Sequence, residues 1–541
     1  MEDKLYEFSE DEKACVIYQP KLPRYWFNYL WSEKGYCAQI SQNGHGRSYY
    51  LNEKADMCML NNNDARYVYI RDDETMQSWN IGAAPLNEEV ENFKCTHHLG
   101  YTELSSQVDQ ITSFWCLYVP KDAYHEVWRI RIKNESQRTR KLSVFEATSF
   151  ELEGFSYPRY YENYRCMETH FDRDLNGIYC SSDHPFAPHK RYNAFLASSE
   201  PVFAFDGDLS KFCGGVGTIT KLDASAYALF QRPDIVVKGL DCSNSEAALF
   251  VLGAVLQKAV EDSLQKAIAY NVDKYSSLIL ETPDAKVNHI MKEWIKKQVD
   301  CCIVGKKGVR DNLQIAVGLL NYRQEKAKEE ILECLRHQFQ NGHAVLTWYP
   351  YDDTRYSDQP FWIIWAVCEL LKETGDLSLL EQKISWQDGG QATVMEHLRA
   401  AVSCLIRDKG KHGLVKIYFA DWNDALNITT DPEAESVMLS EQFCMALLEM
   451  EALMHYIGNE EYAVFLRQEY EKLAQAINTY AWDGKWYMRA LSQVENIGSK
   501  DSDGSKIYLN AQTWAVLAEI VPPERMADVV ASVDGMEGDF G

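Results

Sequence analysis

The segment Phe419-Ala420-Asp421-Trp422-Asn423-Asp424-Ala425-Leu426-Asn427 places two carboxylates, two amides and an indole within nine residues. An indole face makes an apolar wall for a sugar ring. Short polar side chains bind hydroxyls or deliver a proton. Breaking a glycosidic bond needs an acid to protonate the departing oxygen, and hydrolysis adds a carboxylate that activates water or attacks the anomeric carbon. Inorganic phosphate as nucleophile arrives already charged, so one carboxylic acid suffices, with cationic or hydrogen-bonding groups to hold the phosphate. Asp421 and Asp424 lie three apart: on a helical turn they share a face, in a loop they diverge. The competing structural reading makes Asp421 a helix cap or a backbone ligand, and Trp422 a core side chain.

Two further polar clusters precede apolar helices. Gly308-Val309-Arg310-Asp311-Asn312-Leu313-Gln314 runs into a helix expected over Ile315 to Leu320, with Asp311 or Asn312 as its N-cap. Arg355-Tyr356-Ser357-Asp358-Gln359-Pro360-Phe361-Trp362 precedes a helix expected over Phe361 to Lys372, with Ser357 or Asp358 as cap and Pro360 in the first turn. Each is explicable as capping alone; three such loops in one helical region point to a shared site.

The elements that must position these loops fall into two classes. Up to about residue 260 the chain alternates with period two, as in Trp115 to Pro120, Glu126 to Ile132 and Leu142 to Ala147, which predicts an antiparallel β-sandwich. From Val260 to Leu280 the pattern is helical and is broken by Thr282-Pro283-Asp284, which reads as a linker helix. Beyond it, helices are expected over Ser440 to Ile457, Glu460 to Tyr480 and Tyr508 to Ile520, in an all-α toroid with polar motifs in its loops. The expected domains are residues 1–259, 260–284 and 285–541.

Bulk properties narrow the partners. A chain of 541 residues exceeds one ordinary core. Its formal charge of −25 argues against nucleic acid and against anionic membrane surfaces. The charged start, Met1-Glu2-Asp3-Lys4-Leu5-Tyr6-Glu7, is no signal peptide, and no stretch has the length of a membrane span. Fifteen Cys without a CxxC pair read as reduced thiols of a cytoplasmic protein. His97-His98 lacks further ligands at metal-site spacing and reads as loop or core histidine.

These segments resemble the glycoside hydrolase family 94 phosphorylases, the group of cellobiose and chitobiose phosphorylases, over nearly the whole chain. Trp26-Phe27-Asn28-Tyr29-Leu30 and Gly44-His45-Gly46-Arg47-Ser48-Tyr49 look like the opening of that family's sandwich, and His98-Leu99-Gly100-Tyr101-Thr102 resembles its GLGYT/S segment. The Arg310 and Asp358 loops, the "ADWNDxLN" segment, Trp482 to Tyr487 and Asn510 to Val516 then follow in family order. The resemblance implies Asp424 as general acid, Trp422 at the donor sugar and Asp311 on hydroxyls of that sugar. It implies that Arg310, Gln314, Arg355 and Asp358 shape the pocket. It further implies a β-sandwich, a helical linker and an (α/α)6 barrel, with no metal or organic cofactor, inorganic phosphate as co-substrate, inversion to an α-sugar 1-phosphate, and a homodimer.

Two departures keep other readings open. The span from Trp294 to Asp311 is short and holds Lys296, Lys297, Lys306 and Lys307, with no arginine before Arg310, where the family has two. Lysines supply point charges, not an arginine fork. The chain also stops at Asp539-Phe540-Gly541, before the family's remaining barrel helices with their phosphate-binding His and Thr-Gly pair, so an incomplete barrel is expected. The alternatives are an inverting hydrolase or glycosyl-transfer enzyme, with Asp358 or Asp311 as base, and a non-catalytic carbohydrate-binding relative.

Overall fold

A computed structural model describes residues 4–9, 13–51, 57–83, 90–154, 166–183, 192–205, 207, 239–243, 246–251, 257–303, 307–349, 351–426 and 431–536. Asn427, Lys306 and Asp539-Phe540-Gly541 lie outside these residues. The chain divides into two compact units, Met1–Cys301 and Cys302–Gly541.

The first unit is built on two seven-stranded antiparallel sheets. One runs in the order Tyr6–Ser9, Ala14–Ile17, Glu91–His98, Thr102–Val108, Ile111–Tyr118, Val127–Asn134, Glu246–Val251. The other runs Gly239–Ser243, Thr139–Gly154, Met57–Asp72, Ser48–Leu51, Tyr36–Ser41, Phe27–Trp31, with Ser78–Asn80 beside Met57–Asp72. Thr102–Val108 alternates buried and half-buried positions along its length, as a strand with one face on a core must. Ile17, Leu104, Trp115, Leu117 and Ile130 of one sheet join Leu30, Ile40, Ile70 and Val144 of the other in a single cluster. The expected sandwich is therefore present. Two of its buried arginines are paired, Arg66 with Glu126 at 2.5 Å and Arg140 with Asp72.

Helix α1 (Gln257–Lys274) packs Val260, Leu264 and Ala267 on Cys116, Tyr118 and Val127, and the Tyr118 hydroxyl donates to the Val260 carbonyl. It ends before the expected Leu280 because the chain turns out of the helix there. Lys296 donates its ammonium to the carbonyls of Tyr275, Ser277 and Leu278, which a continuing helix would have bonded itself. Short α2 (Ala285–His289) is capped by Asp284, and α3 (Ile295–Ile303) carries Lys296 and Lys297. Lys297 donates to Asn28 Oδ1 at 2.6 Å and to the Leu99 carbonyl at 2.9 Å, and burial pulls its pKa down to about 7. Lys297 thus ties α3 to the sandwich, and Lys296 ties it to the chain that follows α1.

His97 is a core histidine, bonded to Thr102 Oγ1 and the Trp26 carbonyl at 3.0 Å each, with burial lowering its pKa to about 4. Among the described residues no group of His, Cys, Asp and Glu could hold a metal ion, and Cys15, Cys37, Cys95, Cys116, Cys180, Cys368, Cys404 and Cys444 are buried thiols.

The second unit is helical. Its helices are α4 (Val309–Leu319), α5 (Gln324–Leu335), α6 (Gln359–Thr374), α7 (Val394–Arg407), α8 (Val437–Tyr456), α9 (Glu460–Tyr480), α10 (Leu509–Leu517) and α11 (Pro523–Asp534). Helix α6 is buried on several sides through Phe361, Trp362, Ile363, Ile364, Val367 and Leu370, as its unbroken apolar run predicts. It stops at Gly375, whose φ of 65° lets its N–H reach the Leu371 carbonyl. Helix α7 opens with a capping box between Thr393 and Glu396. No described helix is long and apolar enough to cross a membrane.

Candidate active site

The described part of the motif, Phe419 to Leu426, folds as a loop of two successive Asx turns. The Asn423 N–H donates to Asp421 Oδ1 at 3.0 Å, and the Ala425 N–H to Asn423 Oδ1 at 3.1 Å. This spacing sends the two aspartates in opposite directions. Asp421 is buried: its carboxylate also accepts from Arg489 at 2.6 Å and from the Ser436 hydroxyl at 2.6 Å. Ser436 caps α8 by accepting the Leu439 N–H. Three short strands, Val415–Lys416, Glu435–Ser436 and Ala490–Leu491, pair antiparallel and bring Ser436 and Arg489 to Asp421. Asp421 therefore does the structural work, while Asp424 is 65% exposed at its side chain and Trp422 is 43% exposed.

Arg310 gathers the polar loops. Helix α4 begins at Val309, so Asp311 and Asn312 lie inside it and neither is its cap; Gly308 occupies that position without a side chain to offer. The Arg310 guanidinium donates through Nη2 to Asp424 Oδ1 at 2.9 Å. Through Nη1 it donates to Asp358 Oδ2 at 3.3 Å and to the carbonyls of Asp421 and Trp422 at 3.3 and 3.1 Å. Its Nε lies 3.7 Å from Asp311 Oδ1, and its plane faces the Tyr356 ring at 5.7 Å. Burial works against the Arg310 charge, but Asp358, Asp424 and Asp311 outweigh it and raise its pKa. Gln314 follows four residues later on the same face of α4 and is half-buried.

The loop before α6 runs beside the motif. Ser357 N–H donates to the Ala420 carbonyl at 2.9 Å and Phe419 N–H to the Arg355 carbonyl at 3.2 Å. Tyr418 holds a left-handed φ of 57°, a local strain at the entrance to the motif. Asp358 is the last residue before α6 but makes no side-chain cap; its Oδ2 accepts the Trp362 indole N–H at 2.7 Å, and burial raises its pKa to about 6 against the pull of Arg310. Arg355 belongs to a separate group: it pairs with Asp408 at 2.5 Å and lies over Tyr418 at 3.7 Å.

Of the seven residues singled out in the sequence, Arg310, Asp311, Asp358, Asp424 and the Trp422 backbone thus meet, Gln314 lies on the adjoining helix face, and Arg355 stands apart. Sequence reading missed Tyr356, Gln359, Ser436 and Arg489. Gln359 accepts the Arg310 backbone N–H at 3.1 Å. Arg489 lies 68 residues from Asp421, with no local pattern to mark it.

Residues 270–537 match the family model described as glycosyl hydrolase 94 superfamily, catalytic domain, and residues 13–249 match the glycosyl hydrolase 94 supersandwich domain. Solabiose phosphorylase of Paenibacillus borealis is 31% identical, over 97% of this chain and 73% of its own. The N,N'-diacetylchitobiose phosphorylase of Vibrio proteolyticus is 24% identical, over 97% and 74%. A crystal structure of a bacterial glucoamylase complexed with acarbose shares the fold with a TM-score of 0.53 at 8% identity, covering 97% of this chain and 82% of that one. With both halves matched by domains of one family, in the order that the sandwich and the helical unit take here, the chain belongs to the glycosyl hydrolase 94 superfamily.

Proposed function

We propose that this protein is a glycoside phosphorylase that cleaves a β-linked gluco-disaccharide or oligosaccharide with inorganic phosphate. The observation that carries the reading is Asp424: an exposed carboxyl on an Asx-turn loop, bonded to Arg310 and two residues from an exposed indole. In this reading Asp424 protonates the glycosidic oxygen, Trp422 backs the donor ring, and Asp311, 48% exposed, binds its hydroxyls. Phosphate attacks from the opposite face, so the product is an α-sugar 1-phosphate. No metal or organic cofactor takes part.

Residues 285–541 are read as an (α/α)6 barrel, after a sandwich of 1–259 and a linker of 260–284. The protein is read as cytoplasmic and homodimeric; light scattering giving twice the 62.3 kDa chain mass checks the dimer, and the single mass contradicts it.

One observation favours a second reading. Arg310 and Arg355 are both held by carboxylates, so neither is a spare partner for phosphate. An inverting hydrolase would need a base, and Asp311 is the exposed candidate, since Asp358 is sealed. Assaying cellobiose, laminaribiose, sophorose and chitobiose with and without phosphate separates the two. Sugar 1-phosphate formed only with phosphate supports phosphorolysis, and reducing sugar released without it supports hydrolysis.

A further inference from the structure

Asp358 has no exposed side-chain surface, and Oδ1 is buried without a partner. Its other oxygen is shared between the Trp362 indole and Arg310 Nη1. A carboxylate sealed in this way has no face to offer a sugar hydroxyl. Its neighbour Gln359 takes the Arg310 backbone N–H, so the first turn of α6 grips the first turn of α4 at two points, one on main chain and one on side chain. Arg310 in turn is the only described side chain bonded at once to the Asp421 and Trp422 carbonyls and to the Asp424 carboxylate.

We propose that Asp358 is a positioning residue for the reaction, acting through Arg310: it holds the guanidinium inward, where that group pins the main chain of the motif loop and the carboxyl of Asp424. The proposal rests on the reading of Asp424 as the acid. Three anions compete for this one cation. Asp358 is the buried one, and Asp424 and Asp311 lie on the open side. Removing the inner charge leaves only the outer two to attract Arg310. The guanidinium then moves outward, the two carbonyls lose their donor, and Asp424 loses its fixed bearing on the leaving oxygen. A displacement of about 1 Å at a reacting group lowers turnover on the order of 100-fold while leaving ground-state binding largely intact. The raised pKa of Asp358, about 6, agrees with a carboxylate whose charge at neutral pH is sustained by this one cation.

The test is a crystal structure of Asp358→Asn beside the wild type, with steady-state kinetics on the disaccharide that the wild type uses. The expected result is an Arg310 guanidinium about 1 Å or more from its wild-type place, broken contacts to the Asp421 and Trp422 carbonyls, and kcat down roughly 100-fold with KM within about threefold. An unmoved Arg310, or a raised KM at unchanged kcat, overturns it, the latter because Asp358 would then touch sugar. If Asp358→Asn does not fold, Asp358→Glu, which keeps the charge on a longer arm, is read by the same two measures. If the wild type proves inactive on every β-disaccharide, the functional reading fails on its own, and the position of Arg310 in the variant still decides the role of Asp358.

Discussion

At the scale of single residues, two aspartates three apart in one loop do different work because the loop is an Asx-turn pair. Asp421 turns in and meets Arg489 with both side chains fully buried. Asp424 turns out toward solvent and Arg310. Breaking a buried pair by removing one charge strands the other and costs about 3–5 kcal/mol. Asp421→Asn should therefore lower the free energy of unfolding in denaturant by about that amount. Asp424→Asn, at an exposed position, should change it by about 1 kcal/mol or less. Equal stability of the two variants would contradict this division of labour.

At the scale of elements, α8 carries a second consequence of burial. Glu441 sits on its buried face, both carboxylate oxygens have no partner, and burial raises its pKa well above the ordinary 4.5 although Arg489 favours the charged form. The folded protein thus keeps a proton that the unfolded chain gives up near its ordinary value. Stability from this group is complete below that value and is lost as pH rises toward the folded one. Asp358 acts with the same sign between its ordinary 3.8 and about 6. Wild-type melting temperature should carry a falling component from Asp358 between about pH 4 and about pH 6 and from Glu441 above its ordinary 4.5, and Glu441→Gln should flatten the slope. An identical slope in the variant would refute the buried-proton account.

The elements themselves were largely legible from sequence. Period-two strands, the apolar helix α6 and the amphipathic helix α9 announce themselves over ten residues or more. The motif loop was legible as chemistry because its residue types are concentrated. Its internal wiring was not, since Arg310 to Asp424 spans 114 positions and Asp421 to Arg489 spans 68. Nor was the start of α4 at Val309, because a glycine cap gives no side-chain signal and the polar Arg310-Asp311-Asn312 masks the first turn.

At the scale of the whole molecule, a sandwich core and a helical unit each account for their own burial, and the chemistry-bearing residues converge in the helical unit. The formal charge of −25 disfavours polyanionic partners. We propose that Asp424 drives phosphate-dependent cleavage of a β-glycoside. The direct measurement is sugar 1-phosphate release from β-linked gluco-disaccharides by wild type and Asp424→Asn, with and without phosphate. The expected result is product only with phosphate, and a loss on the order of 100-fold or more in the variant. Undiminished release by Asp424→Asn, or cleavage by the wild type that ignores phosphate, would contradict it.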